Sequence, residues 1–116
     1  MRAGDLKYRI AFYRLTTQTT DFGDTREIYE YKGSYRARVN YAGGSELIEN
    51  DQIFHTVTRE FIVRAYVPVV ETDIIIWNDQ KWRIISIDHN KQYNDIIIRT
   101  ELMMGENLTI VNNGSN

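Results

Sequence analysis

Short runs in which apolar and polar residues alternate, each closed by a turn-forming cluster, recur along this chain, and a period of two belongs to strands with one buried face. In residues 7–15, Tyr8, Ile10 and Phe12 fall on one side and Lys7, Arg9 and Ala11 on the other. Near Tyr13 the alternation slips by one residue, as at a β-bulge. The polar stretch 16–24, with Asp21, Gly23 and Asp24, reads as a turn, and residues 26–31 alternate again, so the two runs form a ribbon. Gly33-Ser34 is read as its end. A third strand over 35–41 sets Tyr35, Ala37, Val39 and Tyr41 against Arg36, Arg38 and Asn40. Residues 56–66 carry Val57, Arg59, Phe61, Val63 and Ala65 on one face, and Pro68 ends that run. The apolar run 73–77, the turn 78–80 and the run 81–88 form a hairpin, with Trp82 and Ile84 facing away from Lys81, Arg83, Ile85 and Ile87. A polar turn at 89–94 precedes the last strand, 96–104.

One helix is expected. Ser45 is a suitable N-cap, and residues 46–53 allow two turns with a glutamate, Glu46, at the positive end. So short a helix is marginal without tertiary contacts, and the same stretch reads equally as a long loop. With 116 residues the chain has room for one domain. We expect it to span 1–104, with 105–116 as a flexible tail ending in Asn-Asn-Gly-Ser-Asn. Eight Tyr, four Phe and two Trp beside a single Pro suit pleated, half-buried surfaces. The expected class is all-β: a small antiparallel β-barrel of six or seven strands with one short helix or long loop, closed because an open sheet would expose its edges.

The residue inventory excludes several chemistries. Without cysteine there is no disulfide, thiolate metal site or cysteine nucleophile. No apolar stretch reaches the ~18–20 residues of a membrane-spanning helix, the start shows no apolar signal-peptide core, and no membrane association is expected. His55 and His89 stand far apart and read as loop histidines, so neither a metal site, a catalytic site nor a cofactor is expected. A small hydrolase would need a bound metal to act. A net charge of −2 lacks the basic excess that drives nonspecific DNA binding. Arg36, Arg38, Arg59, Arg64, Arg83 and Arg99, interleaved with tyrosines, admit a single-stranded nucleic-acid-binding module resembling an oligonucleotide-binding barrel. The acidic balance favours the other reading, cross-strand pairing with Glu27, Glu30, Glu60 and Glu101.

The order of these pieces resembles the phage head–tail joining family, also called head-closure, stopper or head–tail adaptor proteins. The resemblance runs through Met1-Arg2-Ala3-Gly4-Asp5-Leu6-Lys7-Tyr8-Arg9-Ile10, the turn Asp21-Phe22-Gly23-Asp24, and the strand Tyr35-Arg36-Ala37-Arg38-Val39 with the Gly44-Ser45-Glu46 loop. It continues in Phe61-Ile62-Val63-Arg64 and in Trp82-Arg83-Ile84-Ile85-Ser86-Ile87. Tyr35 stands where many members have Trp, and the segment beyond Met104 is longer than is typical. The resemblance implies a non-enzymatic structural part of a virion neck, made in the bacterial host cytoplasm, whose copies form a ring that closes the DNA-filled head. Its implied partners are other copies of itself, a portal or adaptor protein, a tail-completion or tail-tube protein, and double-stranded DNA in passage. It also marks Gly43, Gly44, Glu46 and Arg64 as family-motif, interface or gating residues. The Gly pair permits large backbone changes, so residues 42–55 are expected to form the switching segment.

Overall fold

The computed structural model describes residues 6–40, 45–49, 52–104, 108 and 110–111, and among those residues it has nine strands and no helix. The first two, β1 (Tyr8–Thr19) and β2 (Thr25–Asn40), pair antiparallel along their whole length and make one long hairpin. Gly33 does not break β2. Phe12 faces Gly33 while Tyr13 faces Tyr31, so Lys32 is one residue too many for the ladder, and the strand absorbs it as a bulge. Gly33 makes that possible with a φ of +143°, a conformation that side chains rarely adopt. The slip in alternation at Tyr13 is the other side of the same bulge.

The segment expected to be a short helix is a hairpin instead: β3 (Ser45–Glu49) pairs antiparallel with β4 (Gln52–Thr56), Ile48 opposite Ile53. Two turns of helix leave most terminal carbonyls and amides without intrahelical partners, whereas two five-residue strands satisfy each other's backbones at once. This second sheet has two strands.

The remaining strands are β5 (Thr58–Arg64), β6 (Ile74–Trp77), β7 (Gln80–Asn90), β8 (Asp95–Leu102) and β9 (Ile110–Val111). The large sheet runs β1-β6-β7-β8-β5-β2-β9, and β1 pairs again with β2. Six antiparallel strands therefore close on themselves as a barrel, which removes the exposed edges an open sheet would carry. β9 lies in the segment read as a tail and pairs parallel with β2, Tyr29 opposite Ile110.

Closure is uneven. β6, β7, β8 and β5 form a continuous antiparallel sheet, and the long hairpin enters it through two seams of three residue pairs each. One joins Ala11–Tyr13 to Ile74–Ile76, and the other joins Arg38–Asn40 to Glu60–Ile62. The β6–β7 turn is the tight one foreseen: Asn78 and Asp79 both take positive φ, 56° and 60°, as a two-residue hairpin turn of the right twist requires.

Ile10, Phe12, Ala37, Val39, Phe61, Val63, Ile75, Trp82, Ile84, Ile96 and Ile98 fill the interior. Phe61, Trp77 and Trp82 meet edge-on or tilted at 5.7–6.4 Å, and Arg59 lies over the Trp82 ring at 5.5 Å. One facing differs from the alternation. Ile84 pairs with Thr100 and Ser86 with Arg99, so Ile85 is a bulged extra residue that points outward, 54% exposed, and Ile87 turns back onto the core. The sequence placed Ile87 on the outer face because a period of two has no means of counting a bulge.

Candidate functional site

Of the four residues singled out, Gly43 and Gly44 lie outside the described residues. Glu46 belongs to β3, opposite His55. Arg64 closes β5 opposite Asp95, a buried residue, and stands in the wall of the barrel. His55 and His89 sit in separate sheets, in β4 and β7.

Arg64 lines a depression together with Leu6, Arg9, Ser34, Tyr35, Arg36 and Tyr66. Two of its lining side chains are aromatic, Tyr35 and Tyr66. The Tyr35 ring stands edge-on to Phe12 of the core at 5.8 Å and to Tyr66 at 6.2 Å. Gly33 makes room for that ring, since a Cβ at this position would lie 3.0 Å from it. Its rim is cationic. Arg9 and Arg36 are register partners on β1 and β2, directly opposite one another, a placement that like charges resist. Next to it, Lys7, Tyr8, Arg38, Val39 and Asn40 line a second shallow depression on the same two strands.

The six arginines divide. Arg83 pairs with Glu101 across β7 and β8, and Arg99 bridges Asp88 and Glu60, the latter at 3.4 Å. Arg99 holds its proton more firmly than an ordinary guanidinium, first through its hydrogen bond with Asp88 and then through the charges of Asp88 and Glu60. For these two the cross-strand reading holds. Arg36 and Arg38 differ: both are exposed, and neither forms an ion pair with an acidic side chain among the described residues.

A different charged pair left no trace in the sequence. Arg14 of β1 donates to both carboxylate oxygens of Asp73, at 2.9 and 3.2 Å, and to the Pro68 carbonyl at 2.8 Å. Asp73 also accepts from the Val70 amide at 3.1 Å and is fully enclosed, while Arg14 is 32% exposed. Hydrogen bonding to this carboxylate raises the Arg14 pKa above its usual value. The pair stands beside the β1–β6 seam, and its work is structural.

Beyond Arg14 the long hairpin leaves the barrel as an arm. Residues 21–27 are all exposed, and at the tip the Thr20 amide donates to the Asp24 carbonyl at 2.7 Å and the Gly23 amide to the Thr20 carbonyl at 3.0 Å. Phe22, on that tip, is 93% exposed. An aromatic side chain held in water on a turn and a cationic depression with two tyrosines elsewhere on the same chain are two surfaces open to contact.

Comparison with known proteins gives the fold and the family. Solved structures that share the fold include these three. A chain in the virion of a native gene transfer agent particle is 16% identical, with a TM-score of 0.64, covering 86% of this chain and 97% of its own. A protein of Shigella flexneri 2a is 18% identical, with a TM-score of 0.69, covering 91% and 100%. The phage-like element PBSX protein xkdH of Bacillus subtilis is 13% identical, with a TM-score of 0.52, covering 82% and 92%. No curated protein sequence matches at a significant level. A family model described as phage head completion protein, however, matches residues 1–101, from the start of the chain to the penultimate residue of β8. The chain belongs to the phage head completion protein family.

Proposed function

We propose that the protein is a structural component of a tailed-phage or prophage virion neck, made in the host cytoplasm, whose copies form a ring that closes the filled head and receives the tail. The observation that carries this reading is the family match over residues 1–101. The shared fold with a chain of the gene transfer agent virion supports it. Portal or adaptor protein on one side and tail-completion or tail-tube protein on the other are the partners it requires, with double-stranded DNA passing through the lumen. A net charge of −2 suits such a conduit, because a lumen that neutralised many phosphates would hold the DNA.

Within the ring, residues 42–55 act as the gate. Gly43 and Gly44 give the segment backbone freedom, Glu46 belongs to it, and the β3–β4 hairpin pairs with no barrel strand among the described residues. Arg64, on the barrel wall, serves an interface. The test is genetic. Removing the gene should give filled heads that lose DNA and carry no tails, and normal tailed particles would overturn the neck reading. Removing residues 42–55 alone should give the same particles with the ring still present. Intact, infectious particles from that deletion would overturn the gate.

A further inference from the structure

The two ends of the β1–β2 hairpin carry opposite charge. At the barrel end stand Lys7, Arg9, Arg36 and Arg38, and Arg9 and Arg36 line one depression together with Arg64, Tyr35 and Tyr66. At the arm end, residues 21–27 hold Asp21, Asp24 and Glu27 against one cation, Arg26, whose guanidinium is engaged by Gln18 at 2.6 and 2.9 Å. Between the acids stands the exposed ring of Phe22.

These ends are complementary in two independent respects, acid against base and exposed ring against aromatic pocket. They cannot meet within one chain. β1, with twelve residues at ~3.4 Å each, separates them by roughly 35–40 Å. We infer that the arm tip, Asp21-Phe22-Gly23-Asp24, docks in the Arg9–Arg36–Tyr35–Tyr66 pocket of a second copy of this chain. Phe22 lies against the Tyr35 and Tyr66 rings, while Asp21 and Asp24 meet Arg9 and Arg36. This explains why two arginines occupy directly opposed positions at a cost to the isolated chain: a bound carboxylate relieves their repulsion. Gly23, at φ +84°, keeps the tip in its tight turn with open space around it. Each copy offers one arm and one pocket, so the contact is heterologous and propagates head to tail until a rotation closes it. The inference deepens the ring proposed above and rests on it.

The chain contains no cysteine, so single replacements report cleanly. Phe22→Cys and Tyr66→Cys both fall on exposed side chains, 93% and 74%, and should leave the fold intact. In an oxidised equimolar mixture of the two single variants, the 22–66 disulfide heterodimer should exceed its random yield relative to the homodimers by about tenfold, equivalent to ~1.4 kcal/mol of preference. Placing Arg9→Glu and Arg36→Glu in the pocket partner should abolish that excess. Adding Asp21→Lys and Asp24→Lys to the arm partner should restore it. The random yields, with the heterodimer at about twice each homodimer, or a charge reversal without effect, overturn the inference. So does loss of short duplex DNA binding in the Arg9→Glu, Arg36→Glu protein with the cross-link unchanged, which would assign the patch to phosphates. Electron microscopy of particles separates the two levels. Rings without the 22–66 disulfide overturn only the arm–pocket contact, and the disulfide without rings overturns only the ring.

Discussion

Asp73 brings a carboxylate into the interior, and Arg14 meets it with two parallel hydrogen bonds, so the stability of that corner depends on both partners at once. Arg14→Met removes both and leaves Asp73 the hydrogen bond from the Val70 amide. The expected loss is about 3 kcal/mol, the low end for a broken buried pair because Arg14 is itself partly in water. The urea midpoint, at unchanged slope, measures it; a loss below ~1 kcal/mol would mean that water substitutes for the guanidinium. Tyr13 makes a pH prediction. Burial, and then the neighbouring Tyr31, raise its pKa above the ordinary 10.0. The unfolded chain therefore ionises first, and stability that is complete below pH 10 falls as the pH climbs through the folded value. Tyr13→Phe should flatten that alkaline loss in urea midpoints taken at pH 9 and pH 11. Neither residue was legible as a partner beforehand. Arg14 and Asp73 stand 59 positions apart, and nothing local in either neighbourhood points to the other.

Strands and turns were far more legible, because they are written in neighbouring residues. The run 81–88 behind Asn78-Asp79 declared its hairpin, and both turn residues take the left-handed conformation that asparagine and aspartate tolerate. Failures came where two periods compete or where a residue is supernumerary. Glu46-Leu47-Ile48 fits a helical turn as readily as a strand, and only pairing with residues 52–56 decides it. Gly33 looked like a terminator but is a hinge inside one strand of 16 residues. Gly33→Val tests that role. It combines a strained φ with a Cβ 3.0 Å from the Tyr35 ring, and should cost about 1–3 kcal/mol. The Tyr35 ring lines the cationic depression, so the same variant should lower the 22–66 cross-link. An unchanged melting temperature would show that the bulge can relocate.

Composition and strand spacing made the closed barrel legible, but not how it closes. The β3–β4 hairpin stands in a sheet of its own, so deleting residues 45–56 and joining the ends with a short glycine-rich link should leave one cooperative thermal transition. A fall of more than ~1 kcal/mol in stability would mean that the hairpin is part of the barrel's support. The two three-pair seams have another consequence, for how the molecule breathes. Opening both frees the β1–β2 hairpin while leaving the four-stranded sheet paired, which is a partial unfolding with its own free energy. Amide hydrogen exchange should therefore release the seam amides of β1 and β6 together, ahead of those shared by β7 and β8. Arg14→Met should bring that release forward, with the seam amides still exchanging ahead of those shared by β7 and β8. A copy caught with its hairpin out would present two raw strand edges to its neighbours, the same invitation that leads proteins to exchange segments.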